Sequence, residues 1–120
     1  MIYHHSHCRT TVCLHKPEKW MQPYKPKLNL LFANQDQVVA LPKNATVLAG
    51  NNTIPIQMYR IQNNILGMQF HPEDILEYAR ICMYSRFKIP NHLIQQAEES
   101  FKLNVDSNIV FNWIVNFLLL

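Results

Sequence analysis

The sequence predicts a domain in which about four strands are followed by three helices. Between residues 28 and 70 apolar residues alternate with polar ones or form short unbroken runs, and from residue 75 onward they recur at helical spacing. Hydrophobic residues make up 48% of the 120, which is enough for one core of ordinary domain size. This order of elements, taken alone, suggests the α+β class.

The first 27 residues are poorly patterned. Prolines exclude a regular element across residues 16–27, because proline lacks the backbone N–H that helices and sheets need. The β-branched stretch at residues 10–14 could form a short strand. We therefore predict an irregular N-terminal segment at residues 1–27 and a domain at residues 28–120.

Two strands and a hairpin are predicted next. Residues 28–32 and residues 45–49 read as strands, each bounded by turn-forming residues. The arms of the hairpin are predicted at residues 54–61 and 64–70. Its turn is centred on Asn63-Asn64, a residue type that tolerates the left-handed backbone of a tight turn.

Three helices are predicted after this hairpin. Pro72 suits the first position of the first helix, where no backbone N–H is needed. Ile89-Pro90 ends that helix, and Asp106 or Ser107 can cap the third. Apolar faces at helical spacing are formed by Ile75, Ala79, Cys82 and Met83, then by Leu93, Ile94, Ala97 and Phe101, and last by Val110, Trp113, Ile114 and Phe117.

A Gln-Phe-His-Pro-Glu turn links the hairpin to the first helix. The mostly apolar residues 65–70 predict a buried strand, so His71 is expected at the carboxyl end of a strand, where open α/β sheets place their chemistry. Glu73 can turn back and accept a hydrogen bond from the imidazole, which fixes the tautomer of the ring. A His held by a carboxylate is two-thirds of a nucleophile–base–orienter triad.

Residues 67–73, Gly-Met-Gln-Phe-His-Pro-Glu, resemble the signature G-x-Q-F/G-H-P-E of the triad-type, or class I, glutamine amidotransferases, and especially the GMP synthase-like amidotransferase domains. Residues 28–38 and 41–45 are similar to the strand, the S-H-x-D-x-V loop and the L-P-x-x-A turn of that family. The C-terminal helix, ending at residues 113–117, also resembles it. The resemblance covers about residues 20–119 and corresponds to the C-terminal half of the family domain.

This resemblance implies the α/β class, as the C-terminal half of a flavodoxin-like amidotransferase domain. It also implies a reaction, the hydrolysis of glutamine to glutamate and ammonia, and makes glutamine the expected small-molecule partner. In that reaction a cysteine thiolate attacks the side-chain amide, with His71 as its base and Glu73 as the group that orients the base. The released ammonia passes to an acceptor on another domain or protein.

Asn34, Gln35 and Asp36 correspond to the family loop whose backbone helps to hold the substrate glutamine. Ala33 and Asn34 stand where the family has Ser and His, so the side-chain roles there differ from those of the family. A simple polar turn is the alternative interpretation of this loop.

The family nucleophile lies on an elbow written G-x-C-x-G, because flanking glycines permit a tight backbone and an exposed sulfur. None of the three cysteines, Cys8, Cys13 and Cys82, lies in such a motif, and neither Gly50 nor Gly67 adjoins a cysteine. We therefore expect a truncated domain that keeps the His/Glu part of the site, is inactive alone, and would need a separate chain to supply the Cys-containing half.

The alternative is a non-catalytic binding or assembly module. Half of such a domain is expected to leave a strand edge and an apolar face uncovered. A repacked small domain, a homo-oligomer and docking onto a separate N-terminal fragment would each cover them, and the sequence does not choose among these outcomes.

Composition excludes several other classes. The charge of +3 is modest and the Lys and Arg residues are scattered, so we predict no nucleic-acid partner. The apolar run at residues 109–120 is too short and too interrupted to cross a membrane, and the N-terminus does not read as a signal peptide. Three cysteines suit reduced thiols, so we expect a cytoplasmic protein.

The N-terminus is rich in histidine and cysteine, residue types that can bind zinc. Their spacing fits no closed zinc site, so we predict neither a metal nor a cofactor. The residues concerned are His4, His5, His7, Cys8, Cys13 and His15.

Overall fold

Five strands and three helices follow one another in the computed structural model, which describes residues 6–34, 36–85, 90–102 and 104–120. The strands are β1 (Ser6–Leu14), β2 (Lys27–Asn34), β3 (Ala45–Gly50), β4 (Met58–Ile61) and β5 (Ile65–Met68). The helices are α1 (Leu76–Ser85), α2 (Asn91–Ser100) and α3 (Ser107–Leu118). The predicted order, strands first and helices last, is confirmed, with five strands in the described residues instead of about four.

The additional strand, β1, lies in the segment that was predicted to be irregular. It pairs antiparallel with β2 over a register that runs from Ser6 opposite Asn34 to Cys13 opposite Lys27. The irregular segment is therefore wrong for residues 6–9, whereas the short strand considered for residues 10–14 is confirmed, and residues 15–26 form a loop without a helix or strand. The start of β1 has no strand-like pattern of its own, and pairing with the apolar β2 gives it its conformation.

The strands form one sheet in the order β2-β1-β3-β4-β5, and all neighbouring strands are antiparallel. The predicted hairpin is confirmed, with Ile61 opposite Ile65. Its left-handed residue is Gln62, at a φ of 52°, and not one of the two asparagines that follow. The expected buried strand before the His-Pro-Glu turn is wrong, because β5 is at the edge of the sheet and its side chains are exposed or half-buried.

Helices cover both faces of β2. Its Leu30 and Phe32 belong to a core cluster that includes Trp113 of α3, whereas Leu31 packs in a second cluster with residues of α1 and α2. A strand that is buried on both faces has an almost continuous apolar sequence, and residues 28–32 have one. The candidate functional site depends on this strand, which lies at the edge of the sheet.

Asp106 fastens the start of α3 to β2. It occupies the N-cap position, as predicted, but its carboxylate makes no capping hydrogen bond. It accepts hydrogen bonds from the backbone N–H of Asn29 and from the ammonium group of Lys25, both at 2.8 Å. The backbone N–H of Asp106 donates to the carbonyl of Asn29, also at 2.8 Å. The carboxylate of Asp106 thus connects the start of α3 to β2 instead of capping α3.

Within the described residues, no helix is long and apolar enough to cross a membrane.

Candidate functional site

The candidate site lies near the carboxyl end of β2. The backbone N–H of His71 donates to the carbonyl of Leu31 at 2.9 Å, so the segment that follows β5 runs beside β2. Leu31 is three residues from Asn34, where β2 ends. His71 therefore lies three residues after the carboxyl end of β5, as the sequence predicted, and also beside Leu31, near the carboxyl end of β2.

His71 and Glu73 form the predicted pair. The imidazole Nδ1 is 2.9 Å from the carboxylate Oε1 of Glu73. Pro72 between them is buried, and the backbone N–H of Asp74 donates to the carbonyl of His71 at 3.2 Å, which closes a turn. Nε2 is on the other side of the ring, so proton exchange with a further group would use that nitrogen.

This turn precedes the helix instead of opening it. α1 begins at Leu76, so the prediction that Pro72 is the first residue of the helix is wrong. The backbone of His71 is hydrogen-bonded to β2, and α1, which starts after the turn, packs against Leu31 of the same strand. Ile75, which was assigned to the buried face of α1, is exposed, whereas Ala79 and Met83 are buried as predicted.

The Glu73 carboxylate is held in its charged form. Partial burial raises the pKa of Glu73, but a hydrogen bond from its own backbone N–H and the hydrogen bond and charge of the His71 imidazole lower that pKa, and the net pKa is below its ordinary value. Glu73 is therefore ionised at neutral and mildly acidic pH. An ionised acceptor of this kind fixes the proton of the imidazole on Nδ1.

Replacing His71 by Ala is expected to raise the pKa of Glu73 toward its ordinary value, because the hydrogen bond and charge of the imidazole are lost while the backbone hydrogen bond stays. The midpoint can be followed by carbon NMR of the Glu73 carboxyl. Because the folded-state pKa is lowered, the stabilising contribution of the pair is present above the unfolded-state pKa and is lost as the pH falls through the folded-state pKa.

The matched control for this titration is His92→Ala, which removes an exposed imidazole from α2. The control should leave the midpoint of Glu73 unchanged. If His71→Ala also leaves that midpoint unchanged, the pair does not form in solution.

Gln69 joins two parts of the site that are far apart in sequence. Its side-chain oxygen accepts a hydrogen bond from the backbone N–H of Val38 at 2.9 Å, and its side-chain nitrogen donates to the carbonyl of Ile56. The amide is buried, so both of its polar ends are satisfied within the protein. No role for Gln69 was predicted from the sequence. The signal was present, since Gln69 is a polar residue in an otherwise apolar run just before His71.

The predicted substrate loop is described only in part. Asn34 is the last residue of β2, and its side chain, like all of Gln35, lies outside the described residues. Asp36 is exposed. Because Gln69 binds Val38, the segment that begins at Asp36 is fastened to the segment that carries His71 and Glu73.

Of the three cysteines, only Cys13 has a described side chain, and it is half-buried. It lies opposite Lys27, at the amino end of β2. Lys27 and Leu31 are separated by four residues of extended strand, about 13 Å, so Cys13 is far from the imidazole. Among the described residues, no group of three or more His, Cys, Asp or Glu side chains could hold a metal ion. Of the N-terminal histidines and cysteines, His4 and His5 lie outside the described residues, as do the side chains of His7 and Cys8.

The sequence has curated relatives. It is 31% identical over 96 residues to gamma-glutamyl peptidase 4 of Arabidopsis thaliana, a match that covers 77% of this chain and 37% of the relative. It is 37% identical over 59 residues to gamma-glutamyl peptidase 5 of the same plant, covering 48% of this chain and 24% of the relative. The chain thus spans well under half the length of these relatives. No protein-family profile matches it.

Solved structures share the fold. A glutamine amidotransferase from Thermotoga maritima superposes with a TM-score of 0.64 at 17% identity, over 97% of this chain and 54% of that one. A putative GMP synthase subunit from Thermoplasma acidophilum superposes with a TM-score of 0.58 at 17% identity, over 96% and 45%. The protein SMU.1228c gives a TM-score of 0.76 at 16% identity, over 92% and 51%. The chain has the class I glutamine amidotransferase fold.

The predicted family resemblance and the α/β, flavodoxin-like class are therefore confirmed. The chain corresponds to about half of each of these three solved chains. This chain provides a curled antiparallel sheet of five strands and three helices of the fold.

Proposed function

We propose that His71 and Glu73 are the base and the orienting carboxylate of a Cys-His-Glu site that hydrolyses a γ-glutamyl amide, and that the cysteine comes from polypeptide outside these 120 residues. The observation that carries this proposal is the 2.9 Å contact between Nδ1 and Oε1 at the end of β2. The ionised Glu73 supports it, because an orienter must stay charged while the imidazole gains and loses a proton.

The proposed substrate class follows from the chemistry that the relatives' names share. Two curated relatives are named gamma-glutamyl peptidases and one solved neighbour is named a glutamine amidotransferase. The side chain of glutamine is itself a γ-glutamyl amide, in which ammonia is the amine. We therefore assign to this site a γ-glutamyl carbonyl bonded to nitrogen, with glutamine as the simplest member of the class.

In the proposed reaction the cysteine gives its thiol proton to Nε2 of His71, and the thiolate attacks the γ-carbonyl carbon. His71 then returns that proton to the departing nitrogen, and a thioester remains. Water gives a proton to Nε2 of His71 and attacks the carbonyl carbon of the thioester. The imidazolium then returns this proton to the sulfur, which leaves as a thiol while the acid is released. Glu73 stays ionised throughout and stabilises the imidazolium.

The loop at residues 34–36 is proposed to hold the substrate through its backbone. The hydrogen bond between Gln69 and Val38 supports this proposal, because it keeps the chain just after this loop in place beside the segment that carries His71. A thiol nucleophile works only in its reduced form, so we place the protein in the cytoplasm.

The test is a chimera with gamma-glutamyl peptidase 4, in which the matched 96 residues of this chain replace those of the relative. We expect the chimera to release ammonia from glutamine, or the amine from a γ-glutamyl amide, because the relative then supplies the rest of its own chain. The isolated chain is expected to release neither. A folded but inactive chimera would contradict the proposed role of His71 and Glu73, and turnover by the isolated chain would contradict the external nucleophile.

The second candidate function is that of a non-catalytic assembly module. The unpaired edge of β5 favours it, because an exposed strand edge is a template for pairing with another chain. If the chimera binds another chain but hydrolyses no γ-glutamyl amide, the result would favour this candidate.

A further inference from the structure

α3 is apolar on two sides. One stripe, Val110, Trp113 and Phe117, is buried in the core. A second stripe has the spacing i, i+4, i+7 and is exposed: Phe111 is 44% exposed, Val115 53% and Leu118 74%. We call these last three residues the outer stripe. No charged residue occurs between Ser107 and Leu120. A helix with apolar residues on opposite sides is typical of one that is covered on both.

β5 presents an edge without the usual protection. The backbone N–H of Gln69 donates to the carbonyl of Gln57. In β5, Met68 lies opposite Met58 of β4. Because residues of an antiparallel strand point their N–H and C=O groups alternately toward and away from the neighbouring strand, those of Leu66 and Met68 point away from β4. Residues 61–70 contain no charge and no proline, the features that commonly protect an edge strand from pairing.

The exposed edge of β5 and the C-terminal part of α3 form one surface. A groove of about 390 Å³ lies between β5 and the C-terminal part of α3, lined by residues 64–66 and Met68 on one side and by Ile114, Phe117 and Leu118 on the other. With Ile65, Leu119 and Leu120, the outer stripe forms a patch of six large apolar residues, each at least 44% exposed, and a standard interface buries ~800 Å² of each partner. The largest apolar patch of a typical monomer is about 300–600 Å².

We propose that this surface binds a second copy of the chain, in a twofold symmetric dimer. A twofold axis perpendicular to the sheet pairs two β5 strands antiparallel, centred on Gly67, with Leu66 of each copy opposite Met68 of the other. The same axis places the two α3 helices on one face of the joined sheet, where their outer stripes meet.

The absence of charge favours a second copy as the occupant. The chain has 19 charged residues among 120, yet none falls within residues 61–70 or 107–120. A charged surface that met its own copy would place like charges together, whereas this one meets no repulsion. The pairing requires only exposed backbone groups and apolar side chains, and each copy supplies both.

The test is sedimentation velocity over a range of protein concentrations, with Val115→Glu/Leu118→Glu as the variant. Both side chains are exposed, so the monomer fold should be unaffected. We expect the wild-type chain to be a dimer at micromolar concentration, and the variant to raise the dissociation constant at least about tenfold. The matched control, Ile81→Glu, replaces a 62% exposed apolar residue on α1 and should leave the dissociation constant unchanged.

Amide hydrogen exchange gives a second readout. Aggregation through side chains alone would not change the exchange rates of the amides at the β5 edge. In the dimer the amides of Leu66 and Met68 are hydrogen-bonded across the axis, so their exchange should slow as protein concentration rises. A chain that stays monomeric at all concentrations would overturn the proposal. So would a dimer that the α3 variant does not weaken, or protection of these two amides only on addition of a different, cysteine-bearing polypeptide.

Discussion

Gly50→Ala is expected to lower the free energy of unfolding by about 3 kcal/mol or more, because overpacking against backbone atoms forces the backbone to move. A Cβ at Gly50 would lie 2.0 Å from the carbonyl oxygen of Pro55 and 2.6 Å from its carbonyl carbon. The turn before Pro55 cannot easily retreat. The side-chain oxygen of Asn51 accepts hydrogen bonds from the backbone N–H groups of Thr53 and Ile54, at 3.0 and 2.7 Å.

Gly67→Ala is the matched control. Its Cβ would lie 2.2 Å from Cζ of Tyr59, which is the far end of a half-buried side chain. That ring can swing away, so we expect a loss of less than about 1 kcal/mol. Urea unfolding followed by circular dichroism, at one protein concentration for all variants, measures the difference. Equal losses for the two variants would show that the approach of Pro55 to Gly50 is not rigid.

The sequence predicted the parts of the fold and site that local residues determine. The apolar run of residues 28–32 predicted a strand, and the hairpin was predicted from its two arms and a polar turn. The pairing of His71 with Glu73 was predicted because the two residues are only two positions apart and a turn suffices to join them.

The features that were not predicted from the sequence depend on contacts between residues that are far apart in the chain. The start of β1 has no strand pattern of its own and becomes a strand by pairing with β2. The backbone of His71 is held by Leu31, forty positions earlier, and Gln69 reaches Val38 across thirty-one. Apolar periodicity shows which side chains avoid water but not which distant element covers them, and for this reason β5 was expected to be buried.

The proposed catalytic roles of His71 and Glu73 can be tested in the chimera with gamma-glutamyl peptidase 4. His71→Ala is expected to lower kcat by about 10²- to 10⁴-fold, the usual contribution of a general base. KM should change little, because the imidazole moves a proton in the transition state and does not hold the ground-state substrate. The measurement is the initial rate of ammonia release from glutamine over a range of substrate concentrations.

Glu73→Gln separates orientation from charge. The amide oxygen of Gln can still accept a hydrogen bond from Nδ1 at the 2.9 Å position, so the tautomer is preserved while the negative charge that stabilises the imidazolium is lost. We therefore expect a loss in kcat smaller than that of His71→Ala, and a larger loss for Glu73→Ala, which removes both functions. His92→Ala, on the exposed surface of α2, should leave kcat unchanged. If Glu73→Ala had no effect on kcat while His71→Ala abolished activity, the carboxylate would be a structural neighbour of the base and another group would have to orient the ring.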